Sequence, residues 1–453
     1  MKPVSEKKKT ALVKTLLTLV RSEFSKIKEP EKKRTKYSQT DVLICALAMF
    51  MLKYPSLLKF DEERETEHIK ENLTNLFTVA QAPCDTQMRT ILDPINPQVL
   101  RPAFSVIVHY LYNKNNLNSY KCLEDYYILS VDGTGFYASS EIPCSDCCSK
   151  KLNNGKTSFY HQLLAAAIVH PDKKTVIPLA PEPIIREKDA SKNDCERNAC
   201  KRLLRQIKKE YSAFKFIVVE DALSSNEPHI NLLKSLDYRF IIGIKEADHK
   251  YLFDCVQDSL FSEKEHVVEY YDATTKLKRG FRFVNDLSLN KSNLDLKVNF
   301  LEYWECNEQG EMVTYFTWIT DILLTDENAF SIVKIGRARW KIENEVFNTL
   351  KNQGYHLEHN YGHGKHHLSS VFAMLMMLAF LIDQIQELMC PLFQQAKDNY
   401  RTKAYLWLKM QALFISFFIS DWDTFYLALA NGHEATKLEV AIDKRMKIKL
   451  NTS

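Results

Sequence analysis

Three short apolar runs dominate the middle of the chain: Tyr126-Tyr127-Ile128-Leu129-Ser130-Val131, Phe214-Lys215-Phe216-Ile217-Val218-Val219 and Tyr238 to Ile244. Amphipathic helical patterns, Asp194 to Tyr211 and Asn226 to Leu236, lie between them. A strand that is apolar on both faces must be covered on both faces. The chain can satisfy these runs only as an α/β sheet flanked by helices. His161 to His170 and Thr175 to Leu179 bracket the turn signal Pro171-Asp172-Lys173-Lys174, which predicts a hairpin in the same layer.

Around this centre the patterning divides the chain into five parts. Residues 1–115 read as helical, with apolar stripes over Thr10 to Ile27, Asp41 to Leu52 and Gln98 to Tyr112, and polar and Pro-containing stretches breaking Lys53 to Pro97. Residues 116–245 hold the first part of the α/β core. Residues 246–325 read as a β-rich insertion with strands at His266–Tyr271, Gly280–Val284, Leu296–Glu302 and Met312–Ile319, and a turn at Asn307-Glu308-Gln309-Gly310. Residues 326–390 return to the core as helices. Residues 391–453 form a C-terminal helical region with a break near Asp421. The apolar run Val371 to Ile382 is about 12 residues against the ~20 a membrane span needs, so it predicts a core helix and no membrane partner.

Charge is unevenly placed. Lys and Arg number 61 against 57 Asp and Glu, yet residues 1–36 alone hold 12 basic and 4 acidic side chains. A basic segment of this kind, including Lys7, Lys8 and Lys9, suits phosphate-rich partners. The 11 cysteines are dispersed, several in apolar runs, and predict reduced packing residues rather than a disulfide scaffold. With no signal peptide in view, the expected location is cytoplasmic.

Asp132 and Asp221 follow predicted strands, at the edge where open α/β sheets place their functional crevice. Ile342, Val346 and Leu350 mark a buried helical stripe, and Glu343 borders it with Arg339 one turn earlier on the same face. Three carboxylates make a hard all-oxygen donor set that suits Mg²⁺ or Mn²⁺, and two such ions suit phosphoryl chemistry. Neither a Walker loop nor a dinucleotide glycine loop is present.

The order strand-Asp, strand-Asp, β insertion, helix-Glu resembles the DDE transposases of bacterial insertion sequences, with their RNase H-like core. The resemblance extends to Ser130-Val131-Asp132-Gly133-Thr134, to residues 192–199, to Glu220-Asp221-Ala222-Leu223-Ser224-Ser225-Asn226, to Arg337 through Asn344, and to Gly354 through Gly364. It implies a mixed RNase H-like sheet and a triad of Asp132, Asp221 and Glu343 holding two Mg²⁺ or Mn²⁺ ions. It also implies a phosphate contact at Arg339. The function implied is cutting at insertion-sequence ends and joining of the 3′-OH to double-stranded target DNA, by a dimer on DNA. An inactive DNA-binding derivative and a metal-dependent nuclease are the alternatives. The family's Tyr–Arg–Glu–Lys signature is incomplete: Gly336 stands at the Tyr position, and Leu350 at the Lys position with Lys351 one further on.

Other groupings carry weaker expectations. Cys144, Cys147 and Cys148, with His161 downstream but no second spaced Cys pair, read as a structural or reactive loop rather than a zinc site. His356, His359, His363, His366 and His367 read as a polar surface near DNA, with a transition-metal site as the alternative. Asp194 and Glu196 read as solvent-facing or paired with Arg197 and Lys201, with a supporting role beside the triad as the alternative that their place in a resembling block raises. Trp318 and Trp340 read as core residues rather than base-stacking platforms.

Overall fold

The chain folds around a single large mixed sheet. A computed structural model describes residues 11–29, 36–186, 195–259, 266–436 and 438–440. Nine of its twelve strands form the main path: β1 (Tyr126–Ser139), β2 (Cys148–Lys151), β3 (Thr157–Val169), β4 (Lys215–Glu220), β5 (Arg239–Gly243), β6 (His266–Asp272), β7 (Leu277–Asn290), β8 (Asn293–Cys306) and β9 (Met312–Thr320). Their spatial order is β2-β3-β1-β4-β5-β9-β8-β7-β6. β1, β4 and β5 run parallel, and the remaining pairs on this path are antiparallel. The α/β class expected from the patterning, and the mixed RNase H-like sheet that the resemblance implied, are what is found. The hairpin also forms, with Ile177–Pro178 pairing back onto Ile168 and Ala167.

One feature departs from the sequence reading and a second goes beyond it. The first apolar run does not stop at Asp132. β1 continues to Ser139 because β3 pairs with it throughout, Asp132 lying opposite Ala165. Its parallel neighbour β4, however, pairs only as far as Ser130 opposite Val219. The crevice therefore opens beside Asp132 in the middle of a strand. The β-rich insertion, second, is not a separate sheet: β9 pairs antiparallel with β5, so the meander β6–β9 prolongs the core sheet.

Helices are present in the 53–97 stretch as well, at Leu57–Glu63, Glu67–Phe77 and Asp85–Leu92. Ser56 caps the first of these by accepting from the Lys59 N–H, which explains why a locally polar stretch still starts a helix. The break at Asp421 is likewise a cap, its Oδ1 accepting from the Thr424 N–H at 2.9 Å.

The helix Leu368–Met389 runs longer than the apolar run that predicted it, at 22 residues, and is buried along most of its length. It packs on Gln39–Met51, so the N-terminal helices share one hydrophobic core with the sheet. Within this core Lys53 Nζ donates to Asp383 Oδ2 at 2.6 Å, and the Tyr355 hydroxyl donates to the same oxygen at 2.6 Å. The ammonium also lies 4.3 Å from the ring centres of Tyr355 and Trp407. One buried ion pair thus joins the N-terminal helices, the core helix and the C-terminal region.

Removing one member of such a pair leaves an uncompensated buried charge, at a cost of about 3–5 kcal/mol. Lys53→Met should lower stability in urea unfolding by about that amount, and Lys53→Met with Asp383→Asn should recover more than half of it. A single variant as stable as the wild type would show that the pair does not tie these regions together.

Candidate active site

Side chains on a strand alternate between faces, so Asp132 shares a face with Ser130. Ser130 Oγ donates to the Arg339 carbonyl at 2.9 Å, which fixes that face toward the helical stretch 329–352. The stretch is not one regular helix. An α-helix, Ala329–Arg337, gives way to a 3₁₀ turn, Ala338–Trp340, then to a π-helix, Ile342–Phe347, before α geometry resumes at Asn348–Asn352. π segments are rare and frequent at functional sites. Here one begins beside Arg339 and contains Glu343.

The expected stripe of Ile342, Val346 and Leu350 is fully buried, leaving Glu343 at its border. Arg339 Nη1 donates to Asp132 Oδ2 at 3.1 Å and to Glu343 Oε1 at 3.0 Å. The first and last members of the predicted triad thus meet across one guanidinium. Burial pushes the Asp132 carboxyl up to about 7, and a hydrogen bond shared with Glu343 adds to the rise.

Asp221 lies one residue past the end of β4. The register Ser130 opposite Val219, carried two residues on, sets Asp221 level with Asp132 on the adjacent strand. Its Oδ1 accepts from the Leu223 N–H at 3.0 Å, starting the short turn that leads away from the sheet. Asp132 and Asp221 both line a cavity of about 540 Å³ with Glu196 and Glu220. Asp221 also lines a neighbouring cavity of about 600 Å³ with Arg339, Trp340, Trp318, Phe316 and Tyr315.

Glu196, read from the sequence first as solvent-facing or paired with Arg197 and Lys201 and second as a supporting acid, lines the same cavity as Asp132 and Asp221. It opens the helix Glu196–Glu210, and its carboxylate lies against Gly133: a Cβ built there would sit 2.9 Å from Glu196 Cδ. Glycine leaves room for this approach, and a β-carbon there would push the flexible end of Glu196 aside. Burial, then the Asp221 and Glu220 carboxylates, hold Glu196 above the usual range. Behind it, buried Glu220 accepts from Cys200 Sγ at 3.2 Å and pairs with His229 Nε2 at 2.5 Å. Burial works against protonation of His229, yet the Glu220 carboxylate raises it above the ordinary imidazole range. The proximity of Glu196 to Gly133 was invisible in the sequence, because the two are joined only through the fold. Asp194 lies outside the described residues, as do Lys7, Lys8 and Lys9.

Lys351 pairs with Glu358 at 2.9 Å, two helical turns beyond Glu343. Gly336 has a packing reason: a Cβ there would fall 2.8 Å from the Trp318 indole, so a tyrosine at this position would collide with it. Trp318 is a core residue as expected, 5% exposed and stacked on Phe316. Trp340 is not. It is 44% exposed, with the Arg339 guanidinium 4.2 Å from its ring centre, because the 3₁₀ turn directs it outward while Ile342 takes the core position. The expectation of a polar histidine surface also fails for His363, which is buried against Tyr137 and His161.

Asp132, Asp221 and Glu343 all offer hard oxygen donors, and Asp132, raised chiefly by burial, shares a hydrogen bond with Glu343. The residues present therefore fit Mg²⁺ or Mn²⁺, with Asp132, Asp221 and Glu343 as candidate ligands.

A family model described as the transposase DDE domain matches residues 123–381, more than half of the chain. No curated protein matches it. The matched span begins just before β1, ends within Leu368–Met389, and contains every carboxylate of the site. Family membership at this level implies a transposition enzyme dependent on divalent metal. The chain belongs to the family of the transposase DDE domain.

Proposed function

We propose that the protein is an insertion-sequence transposase that cuts phosphodiester bonds at the element's ends and joins the freed 3′-OH to target DNA. The observation that carries this reading is the single guanidinium of Arg339 spanning Asp132 and Glu343, on a rim that Asp221 shares. Two divalent ions, when bound, supply activation of an attacking oxygen and stabilisation of a leaving one in an in-line displacement.

The chain's own residues have separable tasks. Asp132, Asp221 and Glu343 hold the ions. Arg339 keeps the two outer carboxylates together in their absence and turns to a phosphate oxygen in their presence, a role suited to its planar fork of donors. Glu196 adds a fourth carboxylate behind Gly133 and keeps the rim electronegative. Trp340 and the neighbouring aromatic cavity offer a stacking surface for a base displaced at the cut end. Lys351 reaches a phosphate only on leaving Glu358. The basic N-terminal segment contributes affinity for double-stranded DNA through phosphates. Joining two ends at one target calls for two protomers on DNA, acting in the cytoplasm.

The test uses a supercoiled plasmid carrying the gene's own flanking DNA on both sides as the candidate ends. Wild-type protein with Mg²⁺ should excise and join, and Glu343→Gln should lose cleavage by at least about 100-fold while binding the same DNA. Cutting without joining would instead identify a nuclease. Wild type that binds but does no more than Glu343→Gln would identify a DNA-binding derivative.

Replacing Lys7, Lys8 and Lys9 by Ala should weaken DNA binding and flatten the dependence of affinity on salt, by nearly one unit of slope for each phosphate the segment ceases to neutralise. An unchanged slope would remove this segment from the DNA-binding surface.

A further inference from the structure

Away from the carboxylates, the fold collects four soft and borderline donors from three separate segments. Cys144 and Cys147 come from the loop after β1, His161 from β3, and His363 from the loop after the 329–352 stretch. We propose that these four side chains bind one Zn²⁺ as a structural site.

One donor atom from each lies within 4.8 Å of all the others. The Sγ atoms of Cys144 and Cys147 are 3.4 Å apart, each lies 3.4 Å from His161 Nε2, and Cys147 Sγ lies 3.2 Å from His363 Nε2. Tetrahedral zinc, with bonds of about 2.3 Å to sulfur and about 2.0–2.1 Å to nitrogen, sets its ligand atoms roughly 3.3–3.8 Å apart. The observed separations, 3.2–3.4 Å, lie at the short edge of that shell, within reach of it by small side-chain adjustments. They are too long for a disulfide, whose sulfurs lie about 2.05 Å apart.

The surroundings favour a closed structural site over a catalytic one. Four protein donors fill a tetrahedron, and Cys147, His161 and His363 are 2%, 1% and 5% exposed, with Cys144 partly exposed at the edge. His363 Nδ1 is buried with no hydrogen-bond partner, so the ring's polar engagement runs through Nε2 into the cluster. Thiols are weak partners for buried imidazoles, whereas a cation satisfies all four groups at once.

The loops are already held together around the site. Ser145 N donates to the Lys365 carbonyl at 3.1 Å, and Asp146 Oδ2 pairs with His367 Nδ1 at 2.7 Å. Phe136 stacks on His161. Cys148 has a different role: its Sγ points to the Ile184 carbonyl at 3.6 Å.

The location gives the zinc its purpose. β1 carries Asp132, β3 pairs with β1 across Asp132, and His363 follows the stretch that carries Glu343. A metal joining the three pins the segment after Glu343 to the strand pair that presents Asp132. The four donors make this site whether or not the chain acts as a transposase.

The test is metal analysis of the purified full-length chain, with X-ray absorption at the zinc edge. The expected result is one zinc per chain with two sulfur and two nitrogen neighbours. Cys147→Ser should lose most of the zinc, and Asp132→Asn should keep it. Because Cys147→Ser could unfold, Co²⁺ substitution of the wild-type chain supplies a second readout, in which a tetrahedral visible spectrum with thiolate charge-transfer bands is expected. Absence of zinc, zinc without sulfur neighbours, or a Cys144–Cys147 disulfide in the intact protein by mass spectrometry would overturn the proposal.

Discussion

Like charges repel, and this fold brings several carboxylates to one rim of a sheet. Asp132, Asp221, Glu196 and Glu343 come from a strand, a strand end, a helix start and a π-helix. Arg339 is the side chain that makes the gathering tolerable, since its guanidinium reaches Asp132 and Glu343 together. Its own backbone is held to the sheet by Ser130. Burial, with the hydrogen bond to Glu343 added, still raises the Asp132 carboxyl despite this cation. A rim of this kind is poised to exchange an internal cation for external ones.

Such a rim needs a rigid support, because its members would otherwise move apart. The sheet supplies part of it: Asp132 stays paired to Ala165 on one side while β4 has ended on the other, so the strand is held even where the crevice opens. The core helix Leu368–Met389 supplies more, buried against N-terminal helices that a looser reading would make a separate domain. Lys53 and Asp383 join those layers. Extension of the sheet by β6–β9 places Trp318 under Gly336, so the insertion also packs against the approach to Arg339 and Glu343.

Much of this was legible in the residues themselves. Apolar runs on both faces predicted the covered sheet, and the Ile342–Val346–Leu350 stripe located Glu343 at a helix border. What escaped depended on distance. The Cys144–Cys147 pair and His161 were noticed separately from His363, because Cys147 and His363 lie 216 positions apart and meet only through their loops. Glu196 looked like a solvated helix residue because Gly133, the residue that admits it, lies far earlier in the chain. Trp340 looked like core because apolar periodicity assumes regular α geometry, and the 3₁₀-to-π transition breaks that regularity at this point. The continuity of the insertion with the core sheet rests on the pairing of β9 with β5, which no local pattern encodes.

The central claim is that Asp132, Asp221 and Glu343 serve one cation pocket. Anomalous diffraction from crystals soaked in Mn²⁺ addresses this directly. Manganese peaks are expected in contact with all three carboxylates, with Arg339 withdrawn from at least one of them. Manganese bound elsewhere, with Arg339 still bridging Asp132 and Glu343 and Asp221 facing away, would contradict it.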